Sequence, residues 1–393
     1  MSHMSGSGPH RRAVLASGLS AAALLGLTPR SAAARTVRAD SPGQPLAVTT
    51  VAGSLEHPWG LAFLPDGSML VTERPGRLRR IMPDGEVSKP LEGGPRVLAR
   101  GQGGLLGIAL APDFARNRQI FLSFAEAREG STNATAVYRG RLSVAGDALE
   151  DGRVIWRQQP AFASSNHFGS RIVADRSGHL FVTTGDRFSQ MDLSQDPSNT
   201  IAKIVRITAD GEPALDNPRA AGRSGWAPEV WAIGLRNVQG AALHPESGLL
   251  WVSNHGPRGG DGLYAVRPGE NYGWPLISWG THYDGRPVNG GLREREGLVQ
   301  PLVHWTPSIA PAGLTFYTGD LMPAWKGSAF SGALAGRMLV RIMLDGERVV
   351  GQQRLLTDLG HRFRDVQAGP DGALWALTDA RDGALLRIAP PEG

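Results

Sequence analysis

Six times along this chain a short apolar run leads into a turn built from Pro, Asp and Gly, and a second apolar run follows. The copies are WGLAFLPDGSMLVTE from Trp59, LGIALAPDFARNRQIFLSFA from Leu106, SRIVADRSGHLFVTTGD from Ser170, QGAALHPESGLLWVSNHG from Gln239, AGLTFYTGDLMPAWKGSAFSGAL from Ala312 and RDVQAGPDGALWALTD from Arg364. Asp-Gly pairs supply the positive φ that tight turns need, and the flanking alternation predicts half-buried strands joined as hairpins. The uneven spacing of the copies excludes a solenoid and suits four-stranded antiparallel blades with insertions of variable length. Residues 46–393 are therefore predicted to form one all-β domain, a six-bladed β-propeller, with almost no helix. The ring is expected to close by pairing a strand near 46–52 with one near 385–389, which removes exposed sheet edges. Such a fold gathers polar loop residues at one end of its channel but does not by itself name a reaction.

The first 34 residues stand apart from this pattern. Arg11-Arg12, an apolar run over 13–27 and Ser31-Ala32-Ala33-Ala34 read as a cleavable twin-arginine export signal, with a tag remnant at 1–4 and a linker over 35–45. The apolar run falls short of the roughly 18 residues of a membrane span, and no later segment reaches that length, so no membrane insertion is expected. The leader carries three of the 41 basic residues and none of the 36 acidic ones, so the remainder is close to neutral and argues against a nucleic-acid partner. With no cysteine in the chain, disulfides and thiol chemistry are excluded.

Candidate chemistry sits at the blade ends. Residues 251–275, WVSNHGPRGGDGLYAVRPGENYGWP, place a glycine-rich loop between two strands, and such a loop can aim carbonyl oxygens at a hard cation. Polar groups recur at equivalent positions: Gln102, His167, Asp186, the pair Arg236-Asn237, and Arg362 with Arg364. A histidine near an aspartate can accept a proton near neutral pH, and an adjacent arginine can stabilise developing negative charge. Arg362 and Arg364, two apart on one strand, point the same way and suit a grip on carboxylates.

The segments GQGGLLGIALAPDF, NHFGSRI, TTGD, GLRNVQGAALHP, NHGPRGGD, NYGWP and RFRDVQAGPDGALWALTD, in this order, resemble the soluble quinoprotein glucose and aldose sugar dehydrogenase family, whose members bind pyrroloquinoline quinone (PQQ) and Ca²⁺ on a six-bladed propeller. The resemblance implies that His167 is the general base, that Asp186 orients it and that Arg236 stabilises charge on the reduced quinone. Gln102 and Asn237 would contact cofactor or substrate, and Arg362 and Arg364 would hold the cofactor's carboxylates. The carbonyls of Gly256 and Pro257 would ligate Ca²⁺, and Asp261 with the Tyr272 carbonyl would form a second Ca²⁺ site. Two departures count against parts of this picture: Ala335 and Gly336 stand where some members carry a lysine, so that one cofactor contact is either missing or replaced by Arg337, and Gly262 stands where an acidic residue is common. The implied activity is oxidation of an aldose at C1 to a lactone, with electrons passed to an external acceptor, by an exported monomer or homodimer. Two other readings remain open here: a calcium-dependent propeller lactonase or hydrolase, which needs a ring of acidic and Asn side chains in the channel, and a non-catalytic propeller that binds glycans or proteins.

Overall fold

The computed structural model describes residues 36–39, 45–219 and 221–391; the expected export signal lies outside them. Six antiparallel sheets follow one another as blades. Their innermost strands are Pro58–Phe63, Leu105–Leu110, Ile172–Ala174, Val238–Leu243, Pro311–Phe316 and Phe363–Ala368. Each packs against the next, and the last packs against the first, so the ring is closed. Blades two to five have four strands each, whereas the first has three, extended by a single bridge between Ile81 and Val87. In the last blade, Leu46–Leu55 pairs with Gly383–Ala389 in the expected register region, with Ala47 opposite Ala389 and Ala52 opposite Leu385. Thr36–Ala39, within the stretch read as linker, adds a further strand to this sheet.

The turns form as their residues dictate. In the first blade Gly67 has φ +82° and Asp66 Oδ1 accepts the main-chain N–H and the hydroxyl of Ser68. Asp175 plays the same part with Ser177 and His179 before the second strand of the third blade. One expectation about these hairpins is corrected. The second strands Met69–Glu73, Leu180–Thr183, Leu250–Asn254, Ala329–Ala333 and Leu374–Thr378 are buried at every position rather than alternately. Both faces of a blade lie against neighbouring blades, so only an outer strand such as Arg348–Leu355 keeps the alternating pattern. The ring seam shows the packing. Val71, Leu61, Leu377 and Leu385 share one apolar cluster across the first and last blades, and each side chain so buried contributes about 1.5–3 kcal/mol.

Five of the six inner strands carry a register irregularity at the end where they enter the channel. Such bulges bend a strand and re-aim the residue within them. Gln239 and Arg364 occupy two of these positions, and both turn toward each other, with Arg364 Nη1 2.5 Å from Gln239 Oε1.

Candidate active site

Loops that precede an inner strand and loops that follow a second strand lie at the same end of the blades. Gln102, His167, Asp186, Arg236, Asn237, Gly256, Pro257, Asp261 and Arg362 are all on such loops or their edges, which is why residues far apart in sequence meet. His167 Nδ1 is 2.5 Å from Asp186 Oδ1, and both residues are almost fully buried. The Asp186 carboxylate also accepts the Phe188 N–H at 2.9 Å and, on its other oxygen, the Trp274 indole N–H at 3.0 Å. Trp274 lies in turn under the Arg236 guanidinium, 5.3 Å from ring centre to Cζ. Arg236 Nη1 donates to the Gly256 carbonyl at 2.6 Å. Gln102 Oε1 accepts the main-chain N–H of His167, and Asn237 Oδ1 accepts that of Gly169, so both anchor the histidine loop.

The electrostatics follow from burial and charge. Burial holds the His167 imidazole below its ordinary range; the Asp186 carboxylate opposes this, and the Arg236 and Arg187 guanidiniums reinforce it. For Asp186 burial alone would raise the carboxyl, but the hydrogen bond and charge of His167, then Arg236 and the Phe188 N–H, bring it below the usual carboxylate range. At neutral pH the pair is a neutral imidazole on a carboxylate. The Nδ1 proton faces Asp186, which leaves Nε2 as the atom with a free lone pair.

The histidine is held with strained backbone. His167, Arg187 and Phe188 have φ of 50°, 53° and 70°, a region that bulky residues rarely adopt. Arg187, buried against the Phe168 ring, compensates by donating to the carbonyls of Ser164, Asn166 and His167 and to the Asn133 side chain. The turn leaves Phe188 51% exposed, edge-on to His167, and stacked with Tyr283, which is 60% exposed. Strain of this kind concentrates at functional sites.

A sequence profile of the glucose/sorbosone dehydrogenase family matches residues 55–387. The chain belongs to this family. It is 43% identical over 345 residues to the aldose sugar dehydrogenase YliI of Escherichia coli (strain K12), covering 87% of this chain and 92% of that protein. A crystal structure named glucose dehydrogenase shares 48% identity at a TM-score of 0.84, covering 88% of this chain and 99% of that one. The PQQ-bound form of an aldose sugar dehydrogenase from Streptomyces coelicolor shares 30% identity at a TM-score of 0.72, covering 89% and 100%.

Within this family member, Arg362 and Arg364 form a second cluster around Asp379. Both donate to Asp379 Oδ2, at 3.3 and 2.8 Å, and His57 Nδ1 is 3.2 Å from its other oxygen. Among the described residues no hydrogen bond joins this cluster directly to His167, but the buried His255 lies within reach of the charges of Arg364, His167 and Arg236 together. Asp261, expected with the Tyr272 carbonyl to form a second Ca²⁺ site, is engaged by neighbouring donors. Its Oδ1 accepts the Gly256 N–H, and its Oδ2 accepts the N–H groups of Ile309 and Ala310 and the Ser308 hydroxyl. Nor has Gly262 room for an acidic side chain, since a Cβ there would stand 2.6 Å from the Tyr264 ring. Tyr272 packs its ring edge-on against Tyr264 and bonds through its hydroxyl to Arg267 N and Ala265 O. Ala335 and Gly336 both bond to the Ile309 carbonyl, and Arg337 is exposed.

Sequence reasoning missed Trp274, Arg187, Phe188, Tyr283, Gln239 and Asp379. Trp274 was visible only as part of NYGWP and Arg187 only as the residue after TTGD; nothing marked Tyr283.

Proposed function

We propose that this protein oxidises the C1 hydroxyl of aldoses to lactones, using PQQ and Ca²⁺, and passes the electrons to an external acceptor after export. The observation that carries the reading is the neutral His167 held on Asp186 beside Arg236 and Asn237, whose buried Nε and Nδ2 have no hydrogen-bond partner. Arg364 Nε is a third such donor. Buried donors without a partner also occur elsewhere, on Arg128 and Trp156 among others, but the company of these three with His167 and Asp186 fits an anionic, acceptor-rich ligand. Arg236, Asn237, Arg362 and Arg364 would hold PQQ, with Gln102 near substrate.

Gly256 and Pro257, whose carbonyls would ligate Ca²⁺, line a cavity of about 20 Å³ beside Arg236, room for a single small ion or water. Among the described residues no group of three His, Cys, Asp or Glu could hold a metal. Neutral carbonyls, one already bearing a guanidinium, fit Ca²⁺ only when an acidic cofactor supplies the balancing charge. The same lack of an acidic cage disfavours the lactonase reading.

When bound, PQQ supplies the two-electron acceptor for the hydride leaving C1. His167 Nε2 takes the proton of the C1 hydroxyl as the C1=O bond forms. Asp186 keeps the imidazole in the right tautomer and stabilises the imidazolium that results. Phe188 and Tyr283 offer apolar faces to the C–H groups of a sugar ring. The test is reconstitution with PQQ and CaCl₂ followed by dye reduction over a panel of aldoses. Bound quinone that no aldose reduces would overturn the reading in favour of a glycan-binding propeller.

A further inference from the structure

We propose that Trp274 is a positioning residue for the base, acting through Asp186; the inference rests on His167 being that base. Asp186 has two carboxylate oxygens with different tenants. Oδ1 serves His167 and the Phe188 N–H, while Oδ2 is held by the indole N–H of Trp274, from another blade, at 3.0 Å. Without that donor a buried carboxylate could swing about its Cβ–Cγ bond and carry the imidazole with it.

Trp274 is fixed more firmly than a packing residue requires. Its N–H bonds to the Gly234 carbonyl at 2.8 Å, and its carbonyl accepts from Ser194 Oγ at 2.7 Å and Gln195 Nε2 at 2.6 Å. Those two residues belong to the turn Met191–Gln195, whose carbonyls at Leu193 and Ser194 accept from the buried Lys203 ammonium. Among the described residues no carboxylate is bonded to Lys203, and burial, opposed by the charge of Asp196, pushes it down to about 7. Its third bond goes to the Ile201 carbonyl, so the lysine ties this turn to the third strand of the blade. The face of the same indole supports Arg236. One ring thus sets the base pair and the charge-stabilising guanidinium relative to each other.

The test reads the protein without cofactor. His167 would be titrated by NMR of its ring, assigned against His167→Ala, in the parent and in Trp274→Phe, which keeps the aromatic face and loses only the donor. The charges facing His167 are Asp186 and Arg187 from one loop and Arg236 from the next blade, and His255 nearby is held neutral, pushed down by burial to about 3. A carboxylate that loses its indole donor grips the imidazolium more tightly, so the His167 titration moves upward in Trp274→Phe. In reconstituted enzyme the acid limb of kcat/KM moves the same way, with kcat lowered about tenfold and PQQ affinity within twofold of the parent. In an Asp186→Asn background Trp274→Phe has no further effect on His167. Should Trp274→Phe fold poorly, Ser194→Ala, which removes one of the two side-chain donors on the Trp274 carbonyl and leaves Gln195 Nε2 in place, gives a smaller upward shift. A parent-like His167 titration in Trp274→Phe, or an equal shift with and without the Asp186 carboxylate, overturns the proposal. If instead the parent oxidises no aldose, the dehydrogenase reading fails while the titration result still stands.

Discussion

Asp186 and Asp261 are both buried aspartates that follow glycine on the loop side of a second strand, in adjacent blades, yet the molecule uses them in opposite ways. Asp261 is surrounded by fixed donors, three main-chain N–H groups and one hydroxyl, and ties the glycine-rich loop to the loop that enters the fifth blade. Burial outweighs these neutral donors and raises its carboxyl. Asp186 has a titratable donor, His167, and a guanidinium near it, and its carboxyl is lowered. What separates a reactive carboxylate from an architectural one is therefore whether a partner can gain or lose a proton, and not depth of burial.

The sharpest way to break this comparison is to remove that partner. His167→Ala lowers turnover by about 10²–10⁴, the usual worth of a positioned base, and leaves quinone binding intact. Turnover equal to the parent's would put Asp186 in the same class as Asp261. Arg364→Ala weakens PQQ retention by about 10- to 100-fold, as expected for a charged hydrogen bond of about 1.5–3 kcal/mol, with little change in kcat at saturating cofactor. Equilibrium dialysis measures this directly, and unchanged affinity would assign Arg364 to the Asp379 pair alone. Asp261→Asn costs about 1–3 kcal/mol of stability, because an amide cannot accept all four bonds, while the pH profile of sugar oxidation keeps its shape. A shifted acid limb in that variant would erase the distinction between the two aspartates.

The smallest effect concerns a third carboxylate. Burial raises Asp379, but Arg364, His57 and Arg362 outweigh it and hold the carboxyl well below the usual range. A depressed folded-state pKa means that its contribution is complete above the unfolded value of about 4 and is lost as pH falls below it. Asp261, shifted upward, has the opposite sign and favours the folded state as pH falls. Urea midpoints measured from pH 6 to 3 should therefore decline less in Asp379→Asn than in the parent, and a parallel decline would show that the three-partner contact adds no net stability.

Much of the fold could be read from the chain because its signals are local. A turn such as Pro65-Asp66-Gly67 needs positive φ at one residue and a side-chain acceptor at another, and both are written within four positions. The expected closure pairing held because Leu46–Leu55 and Gly383–Ala389 are apolar segments left over at the two ends of a repeating pattern. Alternation failed in the second strands because a blade interior has apolar neighbours on both faces, a fact about other blades and not about the strand. Among site residues, His167, Asp186 and Arg236 stood out by side-chain chemistry in otherwise apolar motifs. Trp274 did not, since an indole in NYGWP looks like core until Asp186, 88 positions earlier, is placed against its N–H.

The amino-acid sequence by itself determined the hairpins, their number, the closing strand and the family, because these depend on short-range backbone preferences and on which segments are apolar. Only the tertiary structure decided which carboxylate faces a histidine and which is consumed by main-chain N–H groups. It also decided that Arg362 and Arg364 share Asp379, and that Phe188 stacks with Tyr283 beside His167. Hydrogen bonds act over about 3 Å, and the closing of six blades into one ring is what brings donors and acceptors from distant parts of the chain within that reach.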